Sequence, residues 1–148
     1  MKSDAQCDVL IVEDDAMQCI EMQGFLSRAG LAVETVRDAT SGLARAKFLR
    51  PRVLLLDYNL PDMNGVQLAE QMRALLPDSA ILMMSGRIDG LSEKTLGDLG
   101  ITTFGNKPVP MAPLRQAIVK LVQASREGRS AAPSRPGWLN AGLGGTRR

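Results

Sequence analysis

The chain has 148 residues, 45% of them hydrophobic and 23% charged, which suits one soluble domain with a sizeable core and excludes a disordered or membrane-embedded class. It contains no histidine and two isolated cysteines, which excludes Ser-His-Asp and Cys-His nucleophiles, His-ligated metals and a disulfide framework. The net charge of +2 is uneven: residues 126–148 carry five arginines against one acid, whereas residues 1–125 carry thirteen bases and fifteen acids.

The N-terminal stretch MKSDAQCDVLIV lacks the basic-then-apolar order of a secretory signal, and no apolar run approaches the roughly 20 residues of a membrane span. A cytoplasmic location is therefore expected. Cys7 and Cys19 read as packing thiols. Val9–Val12 is the first of five short aliphatic runs of the kind that forms buried parallel strands. Met17–Ala29 follows with spacing near 3.6 and predicts a helix whose inner face carries Met17, Ile20, Phe25 and Leu26, closed by Gly30. Ala32–Val36 predicts the second strand. Thr40–Leu49 predicts the second helix, with Leu43, Ala46 and Leu49 inward and Arg50-Pro51 as its stop.

Val53–Leu56 predicts the third strand and Val66–Leu75 the third helix, with Leu68, Met72 and Leu75 inward and Leu76-Pro77 closing it. Ala80–Met84, Ser92–Leu99, Ile101–Phe104 and Leu114–Gln123 complete five strand-then-helix repeats. The last helix offers Leu114, Ile118, Leu121 and Val122, and Pro113 is tolerated in its first turn. Beyond Ser125 the chain is rich in Gly, Arg, Ser and Pro without any period, so 7–125 is the expected domain and 126–148 an expected disordered tail. Within that tail Trp138-Leu139 and the arginines could anchor a partner. No aromatic-interleaved basic patch marks the body, so neither nucleic acid nor a membrane is an expected partner.

Five repeats of this kind imply an α/β fold, a parallel sheet with helices on both faces, in which ligands sit beyond the carboxyl ends of the strands. The residues at those ends are Glu13, Asp14 and Asp15 after the first strand, Asp57 after the third, Ser85-Gly86 after the fourth and Lys107-Pro108 after the fifth. Singly, each reads as a solvated turn or cap. Together they place carboxylates at one edge, where two at close range repel by roughly 4 kcal/mol at an effective dielectric near 20. A hard cation such as Mg²⁺ relieves that repulsion, and a carboxylate nucleophile, a metal, an ammonium and a hydroxyl make a phosphoryl-transfer site.

The segments IVEDD, LLLDYNLPDMNG, MMSG and FGNKP, in this order, resemble the receiver (CheY-like) domain of two-component response regulators, over roughly residues 7 to 125. The resemblance implies a flavodoxin-like (βα)5 fold, a doubly wound five-stranded sheet in the order 2-1-3-4-5. It implies that Asp57 accepts a phosphoryl group, that Glu13, Asp14, Asp57 and the backbone carbonyl of Asn59 hold Mg²⁺, and that Lys107 pairs with the phosphoryl group. Ser85 takes the switch hydroxyl position and Phe104 the switch aromatic position. Asn59 and Arg87 fall where family members vary and are expected to tune the phosphoryl lifetime. Serine instead of the commoner threonine at position 85, and GITTFGN leading into Lys107, depart from the usual pattern without removing a reactive group.

The implied partners are a sensor histidine kinase or a histidine phosphotransfer protein on the donor side and a protein target on the output side. Receivers often pair through the face of the fourth and fifth helices, which makes a homodimer one expectation. The chain reads as a stand-alone receiver, a switch and not a turnover enzyme. A haloacid-dehalogenase-type phosphatase would carry a second acid two residues after the nucleophile, where this chain has Asn59, which cannot act as a general acid. An interaction module that has lost phosphorylation would have no reason to keep Asp14, Asp57, Ser85 and Lys107 together. A receiver cut from a longer regulator is a third alternative.

Overall fold

A computed structural model describes residues 7–84, 93–104 and 109–128. The elements alternate as expected: β1 (Val9–Val12), α1 (Ala16–Ser27), β2 (Val33–Val36), α2 (Ala39–Leu49), β3 (Val53–Asp57), α3 (Gly65–Leu75), β4 (Ala80–Met84), α4 (Glu93–Leu99), β5 (Ile101–Phe104) and α5 (Met111–Arg126). The five strands form one parallel sheet in the order β2-β1-β3-β4-β5. This is the doubly wound arrangement, with the reversal of strand order beside β1 and β3.

Because successive side chains in a strand point to opposite faces, each central strand feeds two cores. Val9, Ile11, Val53, Leu55, Leu82 and Met84 pack with Met22 and Leu26 of α1 and with Leu114, Ile118 and Val122 of α5. Leu10, Val12, Leu54, Leu56, Ile81 and Met83 pack on the other face with Ala39 and Ala46 of α2 and with Leu68, Ala69 and Met72 of α3. Leu96 and Leu99 of α4 lie against this second core. Both faces of β1, β3 and β4 are therefore buried, which is why their sequences are uninterrupted aliphatic runs and do not alternate with polar residues.

The inward face of α1 differs from the expected one. Met17 and Ile20 are each 64% exposed, while Cys19, Met22 and Leu26 are buried and Phe25 is only partly so. At 100° per residue, Cys19, Met22 and Leu26 fall on one stripe at i, i+3 and i+7, and Met17 and Ile20 fall opposite it. The helix carries apolar residues on both sides, so residue type alone placed Leu26 and, in part, Phe25 correctly but turned Met17 and Ile20 to the wrong side.

The helix stops behave as the sequence suggests. Arg50, held before Pro51, closes α2 in the left-handed region at φ 49°, and Gly30 turns the chain after α1 at φ 85°. The fifth helix is longer than expected, running from Met111 to Arg126 and closing at Glu127 and Gly128. Among the described residues no helix is long and apolar enough to cross a membrane.

Candidate functional site

The carboxyl edge of the sheet is built where β1 and β3 lie side by side, with Val12 opposite Leu56. One residue further along this register, Glu13 comes abreast of Asp57. Asp57 ends β3 opposite Met84, and the next N–H, that of Tyr58, donates to the Met84 carbonyl at 2.8 Å. The nucleophile candidate is therefore the last residue of a strand paired on both sides.

The three acids after β1 take three different places. The side chain of Asp15 caps α1, accepting from the Gln18 N–H at 3.0 Å. The Asp15 N–H in turn donates to Glu13 Oε2 at 3.0 Å. Glu13 is fully buried, whereas Asp14 is exposed. One carboxylate oxygen from each of Glu13, Asp14 and Asp57 lies within 4.8 Å of the others. Asp57 itself is 3% exposed. Three carboxylates gathered this closely, two of them withdrawn from water, offer an all-oxygen donor set without thiolate or imidazole. That donor set fits a hard divalent cation.

The loop after β3 is folded back on the strand end. Asn59 and Asn64 form an isolated antiparallel bridge, and the Gly65 N–H donates to the Tyr58 carbonyl at 2.6 Å. A Cβ on Gly65 would stand 2.7 Å from Tyr58 Cα and 2.8 Å from the Asp57 carbonyl oxygen, so only glycine admits this approach. Asn64 caps α3 through a reciprocal capping box with Gln67. The closed loop brings the Asn59 N–H onto Asp57 Oδ1 at 3.1 Å. Asn59 is exposed, two residues past the aspartate.

Two further residues organise the site. Asp62, in the same loop, accepts from the Ala39 and Thr40 N–H groups at 2.9 Å each and from Thr40 Oγ1 at 2.7 Å, which ties the loop to the start of α2. These hydrogen bonds, that of Ala39 first, hold its carboxyl down at about 2. Gly65 is legible as part of an Asn-Gly turn signal, but Asp62 has no sequence signal, because its partners lie 22 and 23 residues upstream.

Cys19 is buried beside the site, and its thiol donates to the Glu13 carbonyl at 3.1 Å. Burial, and then the charge of Glu13, push that thiol up. Burial pushes Cys7 up to about 11. Both remain protonated packing thiols at neutral pH. Of the other expected site residues, Ser85, Arg87, Lys107 and Pro108 lie outside the described residues, as does the tail 129–148. Phe104 closes β5 opposite Met84 through its backbone, and its side chain is outside the described set.

Known proteins similar to this chain in sequence and in fold are numerous. The family model "Response regulator receiver domain" matches residues 9–119. The response regulator MprA of Mycobacterium leprae is 29% identical over 124 residues, which is 83% of this chain and 54% of that protein. The transcriptional regulatory protein CseB of Streptomyces avermitilis is 33% identical over 134 residues, 88% of this chain and 55% of that one. The chain thus spans about half the length of the curated relatives it matches. Among solved structures, a CheY-like response regulator receiver domain protein from Methanospirillum hungatei is 26% identical with a TM-score of 0.75, over 83% of this chain and 98% of that one. The chemotaxis protein CheY4 of Vibrio cholerae is also 26% identical, with a TM-score of 0.69 over 78% of this chain and 98% of its own. With the family model covering most of the chain, on a doubly wound sheet whose carboxyl edge gathers Glu13, Asp14 and Asp57, this protein belongs to the response regulator receiver domain family.

Proposed function

We propose that the protein is a phosphorylation switch in which Asp57 is the phosphoacceptor. The observation that carries this reading is the meeting of Glu13, Asp14 and Asp57 at the tips of β1 and β3. Glu13, Asp14, Asp57 and the backbone carbonyl of Asn59 would hold Mg²⁺, which when bound neutralises charge on the phosphoryl oxygens and on the clustered carboxylates.

Asp57 attacks the phosphorus of a phosphohistidine on a sensor kinase or a histidine phosphotransfer protein. A phosphorus–oxygen bond forms to the carboxylate as the phosphorus–nitrogen bond breaks, and the imidazole leaves with its electron pair. The strand paired on both sides holds the nucleophile rigidly, and the Asn59 N–H orients its Oδ1. Lys107 pairs with the transferred group and Ser85 donates to one of its oxygens. Phe104 turns into the space that Ser85 vacates, and the surface of α4, β5 and α5 changes for a downstream protein target. A coupling of about 1–3 kcal/mol between the two states is enough for such a switch. The acyl phosphate is lost by hydrolysis at the same site without turnover of another substrate.

Intact mass after incubation with a small phosphodonor and Mg²⁺ tests this. One phosphoryl adduct is expected on the wild type, and none on Asp57→Asn or in the presence of a chelator. An unmodified wild type with the donor intact would leave an interaction module that works without phosphate.

A further inference from the structure

One side chain holds together the ends of two helices. Arg73 lies in the last turn of α3, half-buried, and its guanidinium donates to five backbone carbonyls. Three belong to the exit from α3: Leu76 at 3.3 Å, Pro77 at 3.1 Å and Ser79 at 2.6 Å. The other two belong to the end of α4: Leu99 at 2.9 Å through Nε, and Gly100 at 3.4 Å through Nη2. The last carbonyls of a helix have no partner within it, and a cation there also meets the negative end of the helix dipole. Arg73 therefore serves two helix C-termini at once, through the planar fork that distinguishes arginine from lysine.

Gly100 is shaped to this contact. It sits at φ 69°, its N–H closes on the Gly97 carbonyl, and a Cβ there would stand 3.2 Å from Arg73 Nη2. The fourth helix spans only seven residues and leans on its neighbours through Leu96 and Leu99, both partly buried. A helix this short has little stability of its own, so its position depends on what holds its ends.

We propose that Arg73 is a positioning residue that pins the C-terminal end of α4, so that α4 responds to phosphorylation by swinging about Leu99–Gly100 instead of shifting as a whole. This rests on the reading of Asp57 as phosphoacceptor and adds the pivot of the responding element. The pivot keeps β5 in register on β4 while the far end of α4 moves. Without it, the end of α4 and the start of β5 separate from the α3–β4 connection, and the response spreads beyond the helix.

Backbone hydrogen exchange on the full chain, with and without the phosphodonor and Mg²⁺, tests the pivot. In Arg73→Ala, exchange over residues 96–104 is expected to rise about tenfold while β1 and β3 keep their protection, as loss of several hydrogen bonds to one charged group implies. The phosphodonor-dependent change, confined to the N-terminal part of α4 in the wild type, then reaches Leu99 and Ile101. Intact mass should still show the adduct on Asp57. Arg73→Lys is expected to fall between the two, and Gly100→Ala to reproduce the local loss from the other side of the contact. Unchanged protection at 96–104 in Arg73→Ala would overturn the proposal, and so would a loss spread evenly over β1 and β3 in both Arg73 variants. Absence of the adduct from the wild type would sink the phosphoacceptor reading and with it the phosphorylation-driven swing. The exchange of unmodified protein would separately report whether Arg73 holds the end of α4.

Discussion

Two aspartates of nearly equal burial sit at opposite edges of the same sheet. Asp8, at the amino edge, is 4% exposed, and Asp57, at the carboxyl edge, is 3% exposed. Asp8 is met by cations: Arg126 Nη2 approaches Oδ2 at 2.7 Å and Arg52 Nε approaches Oδ1 at 3.4 Å, while the Ala32 N–H donates to Oδ2 at 2.9 Å. Arg52 also donates to Ser125 Oγ at 2.7 Å, so the end of α5 is tied to the sheet twice. Asp57 has the carboxylates of Glu13 and Asp14 close by, one oxygen of each within 4.8 Å of the others. The amino edge pairs its buried aspartate with two arginines, and the carboxyl edge gathers three acids in an all-oxygen donor set. Burial alone does not separate a structural aspartate from a functional one. The company of further carboxylates within 4.8 Å does.

The largest effect expected from breaking this contrast is at the amino edge. Asp8→Ala leaves Arg52 and Arg126 without their carboxylate and should cost about 3 kcal/mol in urea denaturation, the lower end for a buried pair because half of the Arg126 side chain faces water. A shift near zero would mean that the arginines find water as readily as they find Asp8. Next comes Gly65→Ala, whose methyl would press on the backbone of Tyr58 and Asp57. It should destabilise by about 2 kcal/mol and slow adduct formation on Asp57, measured by denaturation and by timed intact mass. Full activity in that variant would show that the loop can open without disturbing the aspartate.

A smaller change of opposite sign is expected at the carboxyl edge itself. In metal-free buffer Asp57→Asn relieves repulsion and should stabilise by about 1 kcal/mol. The wild type should regain about 1.4 kcal/mol from Mg²⁺ at ten times its dissociation constant, and the variant much less. Destabilisation by Asp57→Asn without metal would erase the contrast between the edges. The smallest effect concerns Asp62. Its carboxyl is held down at about 2 in the folded chain by hydrogen bonds from Ala39 and Thr40. A depressed carboxyl contributes its stability above the unfolded value near 4 and loses it as pH falls toward 2. Asp62→Asn should therefore flatten the acid limb of a stability–pH curve between about pH 4 and 2 and leave the curve above pH 5 nearly parallel.

The candidate site was legible in part because its residues follow strands immediately, and strand ends are marked by where an aliphatic run stops. Glu13, Asp14 and Asp57 could be found this way. Sequence order also separates Asp15 from them, though only the structure displays the reason, its cap on α1. Asp62, Arg73 and Asp8 were not legible. Asp62 reads as one more polar loop residue, Arg73 as a solvated position on α3, and Asp8 as the polar residue before a strand. Each acts through partners distant in sequence: 23 residues back to Ala39, 26 on to Leu99 and 118 on to Arg126.

By itself, then, the amino-acid sequence determined the number and order of the strands and helices, the face pattern of the central strands and the acids at their tips. These follow from local rules, namely side-chain periodicity, helix stops at glycine and before proline, and the continuous apolar runs that two-sided burial demands. Tertiary structure alone decided which side of α1 faces the core, how far α5 runs and which charge meets which aspartate. A helix with apolar residues on both sides has no preferred face until the sheet supplies one. A carboxylate acquires its role from the groups that folding brings within a few ångströms of it.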